Sequence, residues 1–150
     1  MAADDLNRLA SWADALLAGM TPAARRQLMG ELARNLRASQ SKRIRANIQP
    51  DSSPMTPRKP LKKLAKKRGS TRRKMFQHLV SPRWLKATCT EHQAVVEFVG
   101  SANRLATIHQ YGLKDRIKGR EISYPARELL GITHREVERL EELLLAHLSA

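Results

Sequence analysis

The chain has 150 residues, a single cysteine and a formal charge of +14, with 41% apolar and only 4% aromatic residues. That length supports one domain with a core and is short for two, and a lone Cys89 excludes an internal disulfide, which suits a reducing compartment. No apolar run is long enough for a bilayer span, and the acidic start Met1-Ala2-Ala3-Asp4-Asp5 is unlike a secretory signal. The excess of cations favours an anionic partner (nucleic acid, an acidic protein surface or an anionic membrane) without choosing among them.

A first helix is predicted from Asp4 or Asp5 to Leu17. Leu6, Leu9, Ala10, Ala13, Leu16 and Leu17 recur at helical spacing, the two acids suit a helix N-terminus, and Gly19 stops it. Thr21 is a good N-cap and Pro22 fits the first helical position. The second helix is therefore long, from Pro22 to about Ile48, roughly 40 Å. Leu28, Leu32, Leu36, Ile44 and Ile48 mark its apolar stripe, with a polar gap at Ser39-Gln40-Ser41. Arg25, Arg26, Arg34, Arg37, Lys42, Arg43 and Arg45 make the other face basic. The apolar stripe needs a sheet or a neighbouring subunit to cover it.

Pro50, Pro54, Pro57 and Pro60 then forbid regular structure. The following arm holds Arg58, Lys59, Lys62, Lys63, Lys66, Lys67, Arg68, Arg72, Arg73 and Lys74, and no acid. Ten like charges in seventeen positions repel one another, so a mobile arm is expected. It suits phosphate contact, which would be salt-dependent, or docking on acidic faces of neighbouring subunits, or simple solvation. Without an aromatic it is not built for base stacking. Met75, Phe76, Leu79 and Val80 re-anchor the chain as a short apolar turn of helix.

Trp84 to Cys89 reads as a strand with Leu85, Ala87 and Cys89 on one face. Glu91-His92-Gln93 forms a hairpin turn, and Ala94, Val96 and Phe98 point inward from the next strand. A short apolar helix (Leu105, Ala106, Ile108) ends at His109, and Gly112 releases the chain. Lys114 to Arg120 is read as a polar loop. A third strand near Glu121 to Tyr124 extends the antiparallel sheet, and Pro125 ends it. Gly131 frees the backbone for the turn into the last helix. That helix opens at Thr133, with Glu136 completing a capping box. Val137, Leu140, Leu144 and Leu148 form its buried stripe, and Glu136, Glu138, Glu141 and Glu142 an acidic outer face. The prediction is an α+β protein: two N-terminal helices, an antiparallel sheet of three or more strands, a C-terminal helix and a mobile basic arm. It is one domain, with a helical part at residues 1–48, a Pro-rich basic arm at 49–74, and the sheet and last helix at 75–150.

No catalytic, cofactor or metal set is expected. None of His78, His92, His109, His134 and His147 has a second histidine or a cysteine at ligand spacing. His109 could pair with Asp115 or Glu128, or tie its motif together by a structural hydrogen bond. Glu138 and Glu142 lie one turn apart beside Arg135 and Arg139, which means ordinary ion pairing. Ser101 and Ser123 lack a nucleophile-elbow context, and Cys89 in its strand is a small apolar residue. Arg127 can fork onto carbonyls or a carboxylate, within one subunit or across a boundary.

Ile108-His109-Gln110-Tyr111-Gly112, then Tyr124-Pro125-Ala126-Arg127-Glu128-Leu129-Leu130-Gly131, then the capped helix, resemble the phage virion morphogenesis family. The likeness reaches upstream to Pro50-Asp51-Ser52-Ser53-Pro54-Met55-Thr56-Pro57-Arg58-Lys59. Ser52 stands where that family usually has a glycine, and Met55 where it often has an aromatic. The resemblance marks His109, Gln110, Gly112, Pro125, Arg127 and Gly131 as a structural motif. It implies a virion structural protein that finishes the tail at its head-proximal end and enables head joining. A homo-oligomeric ring, a hexamer, would contact tail tube and sheath proteins and neck or head-completion proteins, with passing DNA contact and no membrane. Assembly would occur in the host cytoplasm. The basic elements and Glu138 and Glu142 of the acidic helix are the candidate contacts between copies. Phosphate binding by the arm, in a non-specific nucleic-acid-binding protein, is the alternative.

Overall fold

The computed structural model describes residues 2–59 and 74–148. Helix α1 (Ala2–Leu17) leads into α2 (Pro22–Arg45), where Thr21 Oγ1 accepts the Ala24 N–H at 3.2 Å and Pro22 opens the first turn. The helix stops at Arg45 rather than Ile48. Asn47 there takes a φ of 57°, a left-handed conformation that asparagine tolerates and a continuing helix does not. Ile48 instead makes an isolated bridge to Pro54 and is exposed, so it leaves the predicted stripe.

Helix α2 passes through two apolar clusters. Its first half buries Leu28, Met29 and Leu32 against Ala13 of α1 and Leu140 and Leu144 of α4 (His134–Leu148). Its last turns bury Ile44 in a second cluster with Met55, Met75, Val80, Leu85, Phe98 and Leu129. Met55 is therefore a core side chain rather than loop decoration, and its loop neighbour Ser52 takes a φ of 71°, where a glycine would be unstrained. Residues 75–80 form turns instead of the helical turn predicted, because Phe76 takes a φ of 66° and interrupts it. Met75 and Val80 nevertheless anchor the chain as expected.

Strands β1 (Leu85–Cys89) and β2 (Ala94–Phe98) pair antiparallel from Leu85↔Phe98 to Cys89↔Ala94 and lie against α2. Helix α3 (Ser101–Tyr111) follows, with Leu105 on its exposed side. The segment read as a polar loop is half of a second hairpin, β3 (Lys114–Ile117) with β4 (Arg120–Ser123). Lys118 and Gly119 both have positive φ, 51° and 77°, the turn geometry whose twist matches a two-residue hairpin. The strand expected to extend β1–β2 thus pairs with its own neighbour. Among the described residues there are two separate two-stranded sheets rather than one of three or more. A ladder that lies off the core needs no apolar face, which is why its charged sequence hid it.

Helix α4 has the predicted capping box: Thr133 N–H donates to Glu136 Oε2 at 2.9 Å, and Glu136 N–H to Thr133 Oγ1 at 3.1 Å. Val137, Leu140 and Leu144 are buried, whereas Leu148 is exposed and Glu136 belongs to the interior rather than the acidic outer face.

Candidate functional site

The two motif segments meet. Gly112, at φ 63° and ψ 50°, caps α3 in the left-handed conformation. A Cβ there would sit 2.8 Å from the Ala126 backbone nitrogen, so both conformation and space require glycine. The close approach lets residues 127–130 run past the end of α3 as a strap without a strand partner. Side chains and single backbone groups fill that role. His109 O accepts the Arg127 N–H at 2.7 Å. Gln110 Oε1 accepts the N–H groups of Leu129 and Leu130 at 2.8 and 3.0 Å, and its Nε2 donates to Leu130 O at 2.9 Å. Gln49 Oε1 accepts the Glu128 N–H at 3.0 Å. Gly131, expected to free the backbone for the turn, also leaves space: a Cβ there would meet Pro50 Cγ at 2.6 Å.

Arg127 is 5% exposed and acts within its own chain as a fork between segments. Nε donates to Thr56 O at 2.6 Å, Nη2 to Pro57 O at 3.2 Å, and Nη1 lies 3.3 Å from His109 Nδ1. Since a guanidinium only donates, Nδ1 accepts and a neutral His109 carries its proton on Nε2. The ring is held edge-on between Phe76 and Tyr124, each centroid 4.9 Å away. Burial, then the charges of Arg127 and Arg58, lower its proton affinity. Protonation would set an imidazolium against Arg127, so the group is fitted to be a fixed acceptor and poorly fitted to proton transfer. His109 pairs with neither Asp115 nor Glu128 in the way considered from the sequence. Asp115 pairs with Arg104 instead.

A second polar knot joins the strap to α2 and α4. Gln40 Nε2 reaches Gly131 O at 2.6 Å and both Glu136 oxygens at 3.0 and 2.9 Å, and Ser39 Oγ donates to Glu136 Oε1 at 2.7 Å. Gln40 Oε1 accepts from Gly131 N–H at 3.3 Å and from Arg43 Nη2. Burial lowers the Arg43 proton affinity, against the opposing charges of Glu136 and Glu128. Sequence reasoning treated Ser39-Gln40-Ser41 as a gap in the stripe. The signal was present, because Gln40 stands four residues from both Leu36 and Ile44 and so on their face.

The charges sort differently from the expectation. Arg37 donates to Leu85 O at 2.7 Å and Val80 O at 3.2 Å, and Arg43 enters the knot, so neither belongs to the basic face of α2. Arg26, Arg34, Lys42 and Arg45 remain exposed on it. Of the arm, Arg58, Lys59 and Lys74 are exposed. Lys62, Lys63, Lys66, Lys67, Arg68, Arg72 and Arg73 lie outside the described residues, as does most of the arm whose mobility was expected. Arg58 stands beside the motif, in the walls of two clefts of 570 and 330 Å³ that share Phe76 and His109. Glu138 and Glu142 are exposed on α4. Glu142 pairs with Arg139 at 3.0 Å, and Glu138 with His134 at 3.3 Å rather than with an arginine. Among the described residues no three His, Cys, Asp or Glu side chains converge as metal ligands, and no helix is long and apolar enough to cross a membrane.

Residues 4–149 match the phage virion morphogenesis family. Tail completion protein S of Escherichia phage P2 is 42% identical over 136 residues, which cover 89% of this chain and 90% of that protein. No solved structure matches.

Proposed function

Because the chain belongs to the phage virion morphogenesis family, we propose that it is a structural protein that completes a phage tail and readies it for joining to the head. It works as a closed homo-oligomeric ring, a hexamer, at the head-proximal end of the tail. Tail tube and sheath proteins lie on one side and neck or head-completion proteins on the other, and DNA touches it in passing. Assembly takes place in the host cytoplasm and the finished ring stays in the virion. The observation that carries this reading is the 42% identity to a tail completion protein, spread over nine-tenths of both chains.

The physics of the surface supports it. Tyr111, Leu113, Ile117 and Leu145 are exposed apolar side chains, and α2 exposes Arg26, Arg34, Lys42 and Arg45 while α4 exposes Glu138, Glu141 and Glu142. A patch that meets a different patch on the next copy generates a ring when the rotation closes. The motif, with Arg127 bound to the Thr56 and Pro57 carbonyls of the same chain and His109 an acceptor, holds the fold rather than reacting. Residues 1–150 act as one assembly unit, with the acidic residues Glu138 and Glu142 of α4 exposed.

Purified full-length protein should form a discrete ring by native mass spectrometry as concentration rises, and should bind isolated tails at the head-proximal end by electron microscopy. Retardation of generic DNA at physiological salt, abolished by neutralising the lysines of the arm, with no self-association at any concentration, would favour the nucleic-acid reading instead.

A further inference from the structure

Resting on that ring, we propose that the β3–β4 hairpin of one copy docks along the outer stripe of α4 on the next. Among the described residues the hairpin packs extensively against no other named element. A lone two-stranded ribbon is marginally stable in water, so a surface that covers it has something to stabilise. Its base is tethered: Asp115 pairs with Arg104, and Ile122 lines the smaller cleft beside Tyr124.

The register sets Asp115 with Ile122 and Ile117 with Arg120 on one face. Near the base that face turns to the body. Toward the tip Ile117 is 43% exposed, with Arg120 exposed beside it on that face and Lys118 exposed in the turn. An aliphatic side chain flanked by two cations matches an apolar surface edged with carboxylates.

The outer stripe of α4 has that character. Glu138, Glu141, Leu145 and Leu148 are spaced by three, four and three residues, which places them on one side of the helix, and all four are exposed. Among the described residues Glu141 has no ion pair, and Glu138 has only His134, itself 72% exposed. Ile117 would seat against the two leucines while the hairpin cations meet the two carboxylates. Donor and acceptor are different elements, so the contact is heterologous and repeats around a ring.

The test uses the full chain, with oligomeric state read by native mass spectrometry and sedimentation. Hairpin reversal (Lys118→Glu with Arg120→Glu) and helix reversal (Glu138→Lys with Glu141→Lys) should each raise the concentration needed for assembly by at least about tenfold. An equimolar mixture of the two reversed proteins should assemble again as an alternating ring, which damage to folding could not produce. In a Cys89→Ser background, protein with Ile117→Cys mixed with protein with Leu145→Cys should give a covalent dimer on oxidation. If the unaltered protein forms rings but the mixture fails to recover and the cysteines fail to join, the docking is wrong and the ring stands. A ring that persists while hairpin reversal abolishes DNA retardation has the same meaning. If the unaltered protein forms no ring, both readings fall together.

Discussion

The cluster of α1, the first half of α2 and α4 is held differently from the junction around residues 109–136. In the cluster, burial follows helical spacing: Ala13, Leu28, Leu32, Leu140 and Leu144 each project from the face the pattern assigns them. In the junction, the buried side chains include Arg127, Gln40 and Glu136, and each has partners 70 to 97 residues away in the chain. Removing apolar area leaves a hole, whereas removing one member of a polar knot leaves its partners buried and unpaired. The second loss is all-or-none, because every partner was desolvated on the assumption that the others are present.

The largest effect should therefore come from the knot. Gln40→Leu keeps the volume but strips Glu136, Arg43 and the Gly131 carbonyl of their shared partner. It should cost about 3–4 kcal/mol in urea unfolding. Leu28→Ala, at a fully buried helix position, should cost about 3 kcal/mol. A Gln40→Leu cost below that of a surface substitution would show that packing, not the knot, holds the junction.

Gly112→Ala should come next, at about 2 kcal/mol, since a left-handed φ and the 2.8 Å approach to Ala126 act together. Hydrogen exchange should rise in residues 126–130 before it rises in α1 or α4. Thr133→Ala removes the hydroxyl half of the capping box and should cost about 1 kcal/mol, seen as a small fall in melting temperature with hydrogen exchange in residues 126–130 unchanged.

The smallest effect is a pH dependence. His109 has a lowered proton affinity in the fold, so the unfolded chain binds its proton first as pH falls below about 6.5. Stability should drop from there down to the folded-state pKa and level off beneath it. His109→Gln should remove that component of the slope. A slope unchanged in the variant would mean that another group carries it.

The existence of α1, α2, α3 and α4, the Thr21 cap, the Thr133–Glu136 box, the first hairpin and the release at Gly112 were legible in the sequence, although α3 runs to Tyr111 rather than His109. Each is decided within a turn or two of chain, by side-chain period, cap chemistry or a required φ. The α+β class followed from the same local signals. So did part of the motif: Gly112 and Arg127 were marked, and Arg127 was read as a fork onto carbonyls, though which carbonyls and in which subunit stayed open.

Tertiary structure decided the remainder. Whether Arg37 and Arg43 face solvent depends on carbonyls at Val80, Leu85 and Leu129, far along the chain. The strand at Arg120–Ser123 pairs with β3 rather than β2 because α3 and the Gly112 turn carry the chain away from the first sheet. The polar residues at 39–41 read as a gap until α4 and the strap supplied Glu136 and Gly131. Local periodicity records which face is apolar, but a buried hydrogen bond depends on where a distant segment arrives, and only the folded chain brings those two ends together.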